Sequence, residues 1–173
     1  LDVASQILSA GRSSRLYRKL VHENQQALYA EGGYWAMGEA GLFFAVAGVR
    51  PGVEIDDVES EFFAQIDRMA REPASEAELA KAKRILEVGL VEGLSTTHSL
   101  ASRIGDDYVL LGRVRSLDER LAAIQAVTAE DVMRVVSDYL GQENRSVVQV
   151  ISPPASEDQT SDDETAGPAE GEE

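Results

Sequence analysis

Gly11 to Tyr34 reads GRSSRLYRKLVHENQQALYAEGGY, and the way this stretch divides decides the fold. Leu16, Leu20 and Val21 recur at helical spacing, so its first half is expected to be a helix. From about Ala27 to Tyr34 apolar and small residues predict a strand. Helix, then strand, is the local reading, and three strand candidates along the chain against five or six helices, not in regular alternation, favour a layered α+β arrangement.

Working outward, Val3, Ile7 and Leu8 place a short helix before this stretch, stopped at Gly11, a residue able to take the left-handed conformation of a helix end. Downstream, Glu39-Ala40-Gly41 predicts a turn and Leu42 to Val49 a second strand, so the two strands should form an antiparallel hairpin ended by Arg50-Pro51-Gly52. Val58, Phe62, Phe63, Ile66 and Met69 form one stripe on a helix closed by Glu72-Pro73. Ser75 and Glu78 have the spacing of a capping box at the head of a long helix through Leu79, Ala82, Leu86 and Leu90. Gly89, Gly93 and Ser95-Thr96-Thr97 predict a bend or break before helix resumes over 100–111. Two more caps are expected at Ser116 and Thr128, a last apolar face at Val132, Val135, Val136 and Tyr139, and a third strand over Val147 to Ile151. The sum is an α+β fold with a mainly antiparallel sheet and helices packed on one face.

The chain has 173 residues, 43% of them hydrophobic, enough for one domain with a real core. It begins Leu1-Asp2-Val3-Ala4, as if inside a helix, and is therefore read as part of a longer protein. There is no cysteine, which excludes disulfides and thiolate metal sites and leaves the bacterial cytoplasm and periplasm both open. No apolar run approaches the roughly 18 residues that span a bilayer. Net charge is −15, and residues 155–173 hold 8 acids and no base. That segment, rich in Ser, Asp, Glu, Gly and Pro, is expected to be a disordered acidic tail behind a domain over 1–154. The remainder still carries 23 acids against 16 bases, which argues against nucleic acid as a partner. Arg12, Arg15, Arg18 and Lys19 are the one basic cluster and are expected to form a solvated helix face.

A peptidase zinc site needs two His and a carboxylate, usually from His-Glu-x-x-His or its inversion. His22-Glu23-Asn24-Gln25-Gln26 starts like the first of these but ends in Gln26, and His98 has no acid nearby in sequence. No metal site is expected in this segment.

Several motifs in order nevertheless carry a resemblance: Gly11-Arg12-Ser13-Ser14-Arg15-Leu16-Tyr17; Leu20-Val21-His22-Glu23 followed by Tyr29; Val49-Arg50-Pro51-Gly52; Glu78-Leu79 with Ala82-Lys83; and Ile124 to Val132. Over residues 1–154 the chain resembles the C-terminal-type, non-zinc domain of the pitrilysin/insulinase zinc metallopeptidases. The resemblance implies a two-layer α/β sandwich, one or two further strands before Leu1, and zinc held by a homologous domain or partner subunit. It also implies a role in closing over peptide substrate through an Arg and a Tyr seven residues later. Tyr29 falls on that Tyr and His22 on that Arg, so the Tyr is kept and the Arg is not. The plain alternatives are a half-buried strand aromatic and a surface helix histidine. Tyr17, Tyr34 and Trp35 read as packing residues. The other function the resemblance allows is a structural subunit of the same fold without peptidase activity, as in the core subunits of the respiratory cytochrome bc complex.

Overall fold

A computed structural model describes residues 1–37 and 40–151. In chain order they form α1 (Asp2–Leu8), a π-helix (Tyr17–Glu23), β1 (Ala27–Ala36), β2 (Gly41–Val49), α2 (Ile55–Arg71), α3 (Glu76–Glu92), α4 (Thr97–Leu111), α5 (Leu117–Ala126), α6 (Ala129–Tyr139) and a 3₁₀ turn (Gln142–Asn144). The architecture is α+β in two layers: an antiparallel β1–β2 ribbon and a helical layer on one of its faces. The acidic tail lies outside the described residues, as do Gly38 and Glu39 of the predicted turn. Met37 N–H donates to the Ala40 carbonyl across that turn at 2.9 Å.

The core lies between the layers. Ile7 and Leu8 from α1, Leu16 and Leu20 from the central stretch, and Ala27 and Ala30 from β1 meet Ile66 and Met69 of α2 and Val132 and Val136 of α6. Small residues on β1 let the helices approach the sheet closely. Each fully buried Leu contributes roughly 1.5–3 kcal/mol. The face of β2 that carries Phe43, Ala45 and Ala47 packs against the same core.

Helix boundaries follow local chemistry. Gly11 takes φ +73° after α1. Glu72, ahead of Pro73, is extended and ends α2. Ser75/Glu78, Ser116/Glu119 and Thr128/Asp131 each form a reciprocal capping box, opening α3, α5 and α6. The expected break in the long helix is real: α3 stops at Glu92 and Thr96 caps α4, its hydroxyl accepting from the Ser99 N–H. Between α4 and α5, the buried Asp107 carboxylate accepts from the Arg115 backbone N–H at 2.8 Å, from the Arg115 guanidinium and from Arg120. The Arg115 N–H, then the two guanidinium groups, overcome the opposing effect of burial and hold this carboxyl at about 2.

Two expectations are corrected. Residues 147–151 are not a strand: they pair with neither edge of the ribbon, Val148 and Val150 are 85% and 89% exposed, and the segment touches α2 through Gln149 Nε2 donating to Glu59 at 2.8 Å. A strand exists only with a ladder partner, and β-branched composition cannot supply one. Trp35 is not interior packing either. It is 60% exposed and leans on Phe44, ring centroids 5.0 Å apart.

Candidate functional site

The quoted stretch is anchored at its head and presented at its tail. Ser14, buried, accepts the Tyr17 N–H on its hydroxyl at 3.3 Å. Arg15 is 8% exposed, so it is not part of a solvated basic face; Arg12 and Arg18 are. Its Nε and one terminal nitrogen donate to the two carboxylate oxygens of Glu78 at 2.8 and 2.9 Å, the fork-to-fork geometry in which a guanidinium binds a carboxylate most firmly. Glu78 also accepts the Ser75 N–H, so one carboxylate both closes the α3 cap and ties the motif to that helix. The Arg15 guanidinium first, and the Ser75 N–H after it, outweigh partial burial and lower the Glu78 carboxyl from 4.5 to about 2. The stability that the lowered Glu78 carboxyl contributes is therefore fully present above about pH 4.5 and is lost as pH falls towards about 2, because the unfolded chain takes up this proton before the folded one. Urea midpoints measured between pH 2 and 5 should therefore rise with pH, and rise less for Glu78→Gln.

Beyond Arg15 the backbone changes winding. The Asn24 N–H bonds to the Lys19 carbonyl at 2.9 Å and the Gln26 N–H to Leu20 at 2.8 Å, wider than the α pattern, and Gln25 takes φ +54° to leave the helix. Such π turns are rare and concentrate at functional sites. Leu20 points into the core while His22 is exposed on the last turn. Neighbouring Glu23 lies 3.2 Å from Lys19 and 3.6 Å from Arg18.

The chain then enters β1 through a bulge. Ala27 pairs with Val49 and Tyr29 with Gly48, leaving Leu28 as the extra residue. Arg50 secures this point: its N–H donates to the Gln26 carbonyl at 3.0 Å and its Nε to Ala27 at 3.2 Å. A bulge re-aims the residues after it, and here Tyr29 points away from the helices, 46% exposed, while Ala30 points into the core. The Tyr29 ring lies across Gly48, where it occupies the space any Cβ would need. Among the described residues the phenol has no hydrogen-bond partner. His22 and Tyr29 thus reach the surface from two consecutive elements, and no hydrogen bond between them is present.

Tyr29 heads a row that sequence reading did not single out. The outer face of the ribbon carries the pairs Tyr29/Gly48, Glu31/Val46, Gly33/Phe44 and Trp35/Leu42. The bulge sets this phase, and its signal in sequence is slight: no glycine or proline marks Leu28.

No group of three or more His, Asp or Glu among the described residues is arranged to hold a metal ion, and His98 stands on a different element, α4, from His22. The residues present do not fit a zinc site. A cavity of about 680 Å³ opens on the helical side, among Leu86, Leu90, Val132 and Val135, with no residue of the π-helix or the ribbon in its wall.

The profile of the Peptidase M16 inactive domain matches residues 1–86. An uncharacterized zinc protease of Streptomyces coelicolor is 33% identical over 154 residues, which is 88% of this chain and 33% of that protein. The chain belongs to the M16 family of zinc peptidases, as its inactive-type domain. It spans about a third of the length of the relatives it matches. The M16 fold is supported by the inactive peptidase domain of a putative zinc protease from Bordetella parapertussis, with TM-score 0.78 and 23% identity over 89% of this chain and 83% of that one. A chain of Complex III2 from Candida albicans is also similar, with TM-score 0.67 and 21% identity over 79% of this chain and 34% of that one.

Proposed function

We propose that this M16 domain closes over peptide substrates for a zinc-bearing homologous domain or subunit, which supplies the metal and the nucleophilic water. The observation that carries the reading is Tyr29: an exposed phenol with no hydrogen-bond partner among the described residues, aimed off the sheet by a bulge, at the position where the family has its substrate-facing Tyr. A positioned hydroxyl of this kind donates to a substrate carbonyl or to the oxyanion formed from it. His22, exposed on the preceding π turn, contacts substrate from the helix side. Residues 1–154 form the functional unit in this reading.

The second reading, a structural subunit without peptidase activity, is favoured by His22 standing where the family has Arg and by the likeness to a Complex III2 chain.

The two readings separate on what the side chain at position 22 does for binding. A charge-assisted hydrogen bond from the guanidinium fork of an Arg is worth about 1.5–3 kcal/mol against about 1 for a neutral donor. Peptide affinity for the complex with an inactivated zinc half should therefore rise in His22→Arg and fall in His22→Ala. Identical affinities for all three proteins would remove His22 from the site and favour the structural subunit.

A further inference from the structure

We propose that Arg50 is a positioning residue for the Tyr29 hydroxyl: its guanidinium, bonded to the Ala27 carbonyl, holds the β-bulge that turns the Tyr29 ring outward. This rests on the reading of Tyr29 given above and adds to it the residue through which the phenol is kept in place.

The bulge gives Tyr29 its side of the sheet. Ala27 and Ala30 are both buried, at 0% and 2% exposure, although they stand three residues apart. Side chains of an unbroken strand alternate with period two, so a regular β1 with Ala27 inward would send Leu28 outward, Tyr29 inward and Ala30 outward. The extra residue, Leu28, reverses this order from Tyr29 onward. Whatever holds the extra residue at this point therefore decides where the phenol points.

Arg50 is placed to do so. Its backbone N–H donates to the Gln26 carbonyl at 3.0 Å and its Nε to the Ala27 carbonyl at 3.2 Å, so one residue of β2's end grips two consecutive carbonyls just before the bulge. Among the described residues the guanidinium makes no ion pair and no other hydrogen bond, in a chain with 31 acids against 16 bases. It is spent on the backbone of the bulge and not on surface charge. Ala27 is fully buried, so water is a poor substitute for this donor. On the facing strand, Gly48 leaves the room in which the Tyr29 ring lies. A bulge without its Ala27 bond can shift along the strand, and a displacement of about 1 Å at a reacting group can cost as much as about 10²-fold in rate.

The test exploits side-chain length. Glutamine carries its amide nitrogen, and methionine its terminal methyl, at the same place along the side chain as the arginine Nε. Arg50→Gln thus keeps a donor for Ala27 without the charge, and Arg50→Met keeps the length without a donor. In the enzyme reconstituted with its zinc-bearing half, Arg50→Met should lower kcat roughly tenfold with KM and zinc content little changed, and Arg50→Gln should stay within about twofold of wild type. In a Tyr29→Phe background the Arg50→Met change should cost nothing further, because no hydroxyl remains to be misplaced. A merely structural arginine would lower kcat alike in both backgrounds. Should Arg50→Met fail to assemble, Arg50→Lys replaces it: its donor sits one atom further out, so an intermediate kcat is expected, again with no loss in the Tyr29→Phe background. Wild-type kcat in Arg50→Met, equal losses in the Met and Gln variants, or a loss that persists without the Tyr29 hydroxyl would overturn the positioning role and leave the reading of Tyr29 standing. Full activity in Tyr29→Phe alone would remove both.

Discussion

Arg15→Met should destabilise the chain by about 2–4 kcal/mol at pH 7, seen as a lower urea midpoint with an unchanged slope. The side chain is nearly fully buried and spends both donors of its fork on Glu78. Methionine fills much of the same volume but leaves the carboxylate partly enclosed with only the Ser75 groups to satisfy it. The cost therefore comes chiefly from stranding a charge and less from lost packing. Glu78→Gln should cost less, because the amide oxygen still accepts one of the two guanidinium bonds and the cap. Arg15→Lys should fall between wild type and Met, since an ammonium cannot serve both oxygens in the plane of the carboxylate. A loss below about 0.5 kcal/mol for Arg15→Met would mean the pair behaves as an ordinary surface ion pair. The pair pins the start of the helix that carries His22 to α3, at a distance of 63 residues in sequence.

That pairing also shows where reading the sequence succeeds and where it stops. Caps are local, so Ser75/Glu78, Ser116/Glu119 and Thr128/Asp131 announced three helix starts from spacing alone, and all three form. Glu78 was legible as a cap residue and Arg15 as one of a basic cluster. Their contact was not legible, because nothing local distinguishes a guanidinium that turns inward from one that stays in water. The same limit explains residues 147–151, where composition is strand-like but pairing depends on an edge that no residue in the segment encodes. The central stretch divided as expected into helix and strand. Its π winding was not foreseen, since the spacing of Leu16 and Leu20 suits either helix and only the exit through Gln25 at φ +54° reveals the difference.

As candidates for the site, Tyr29 and His22 come from a family resemblance and not from periodicity. Alternation alone would have let either face of β1 be the buried one, and the Leu28 bulge shifts phase just where the choice matters. It is this shift that turns Ala30 inward and Tyr29 outward, and with them sets Glu31 and Trp35 on the open face.

The claim that this M16 domain completes a peptidase by offering the Tyr29 hydroxyl is tested most directly by Tyr29→Phe in the enzyme reconstituted with its zinc-bearing half. The change removes one oxygen and almost no volume. The ring keeps its place across Gly48, and because the phenol has no partner among the described residues, none is stranded by its loss. Stability and zinc content should therefore be unaffected. If the hydroxyl donates to the oxyanion, its loss removes an interaction made chiefly in the transition state, so kcat and kcat/KM should fall together. The expected drop in kcat/KM is roughly 10²-fold, about 2.7 kcal/mol of transition-state stabilisation, with zinc bound as in wild type. Unaltered kcat/KM in Tyr29→Phe, at equal zinc content and equal stability, would contradict the account and leave Tyr29 as an aromatic cover for Gly48.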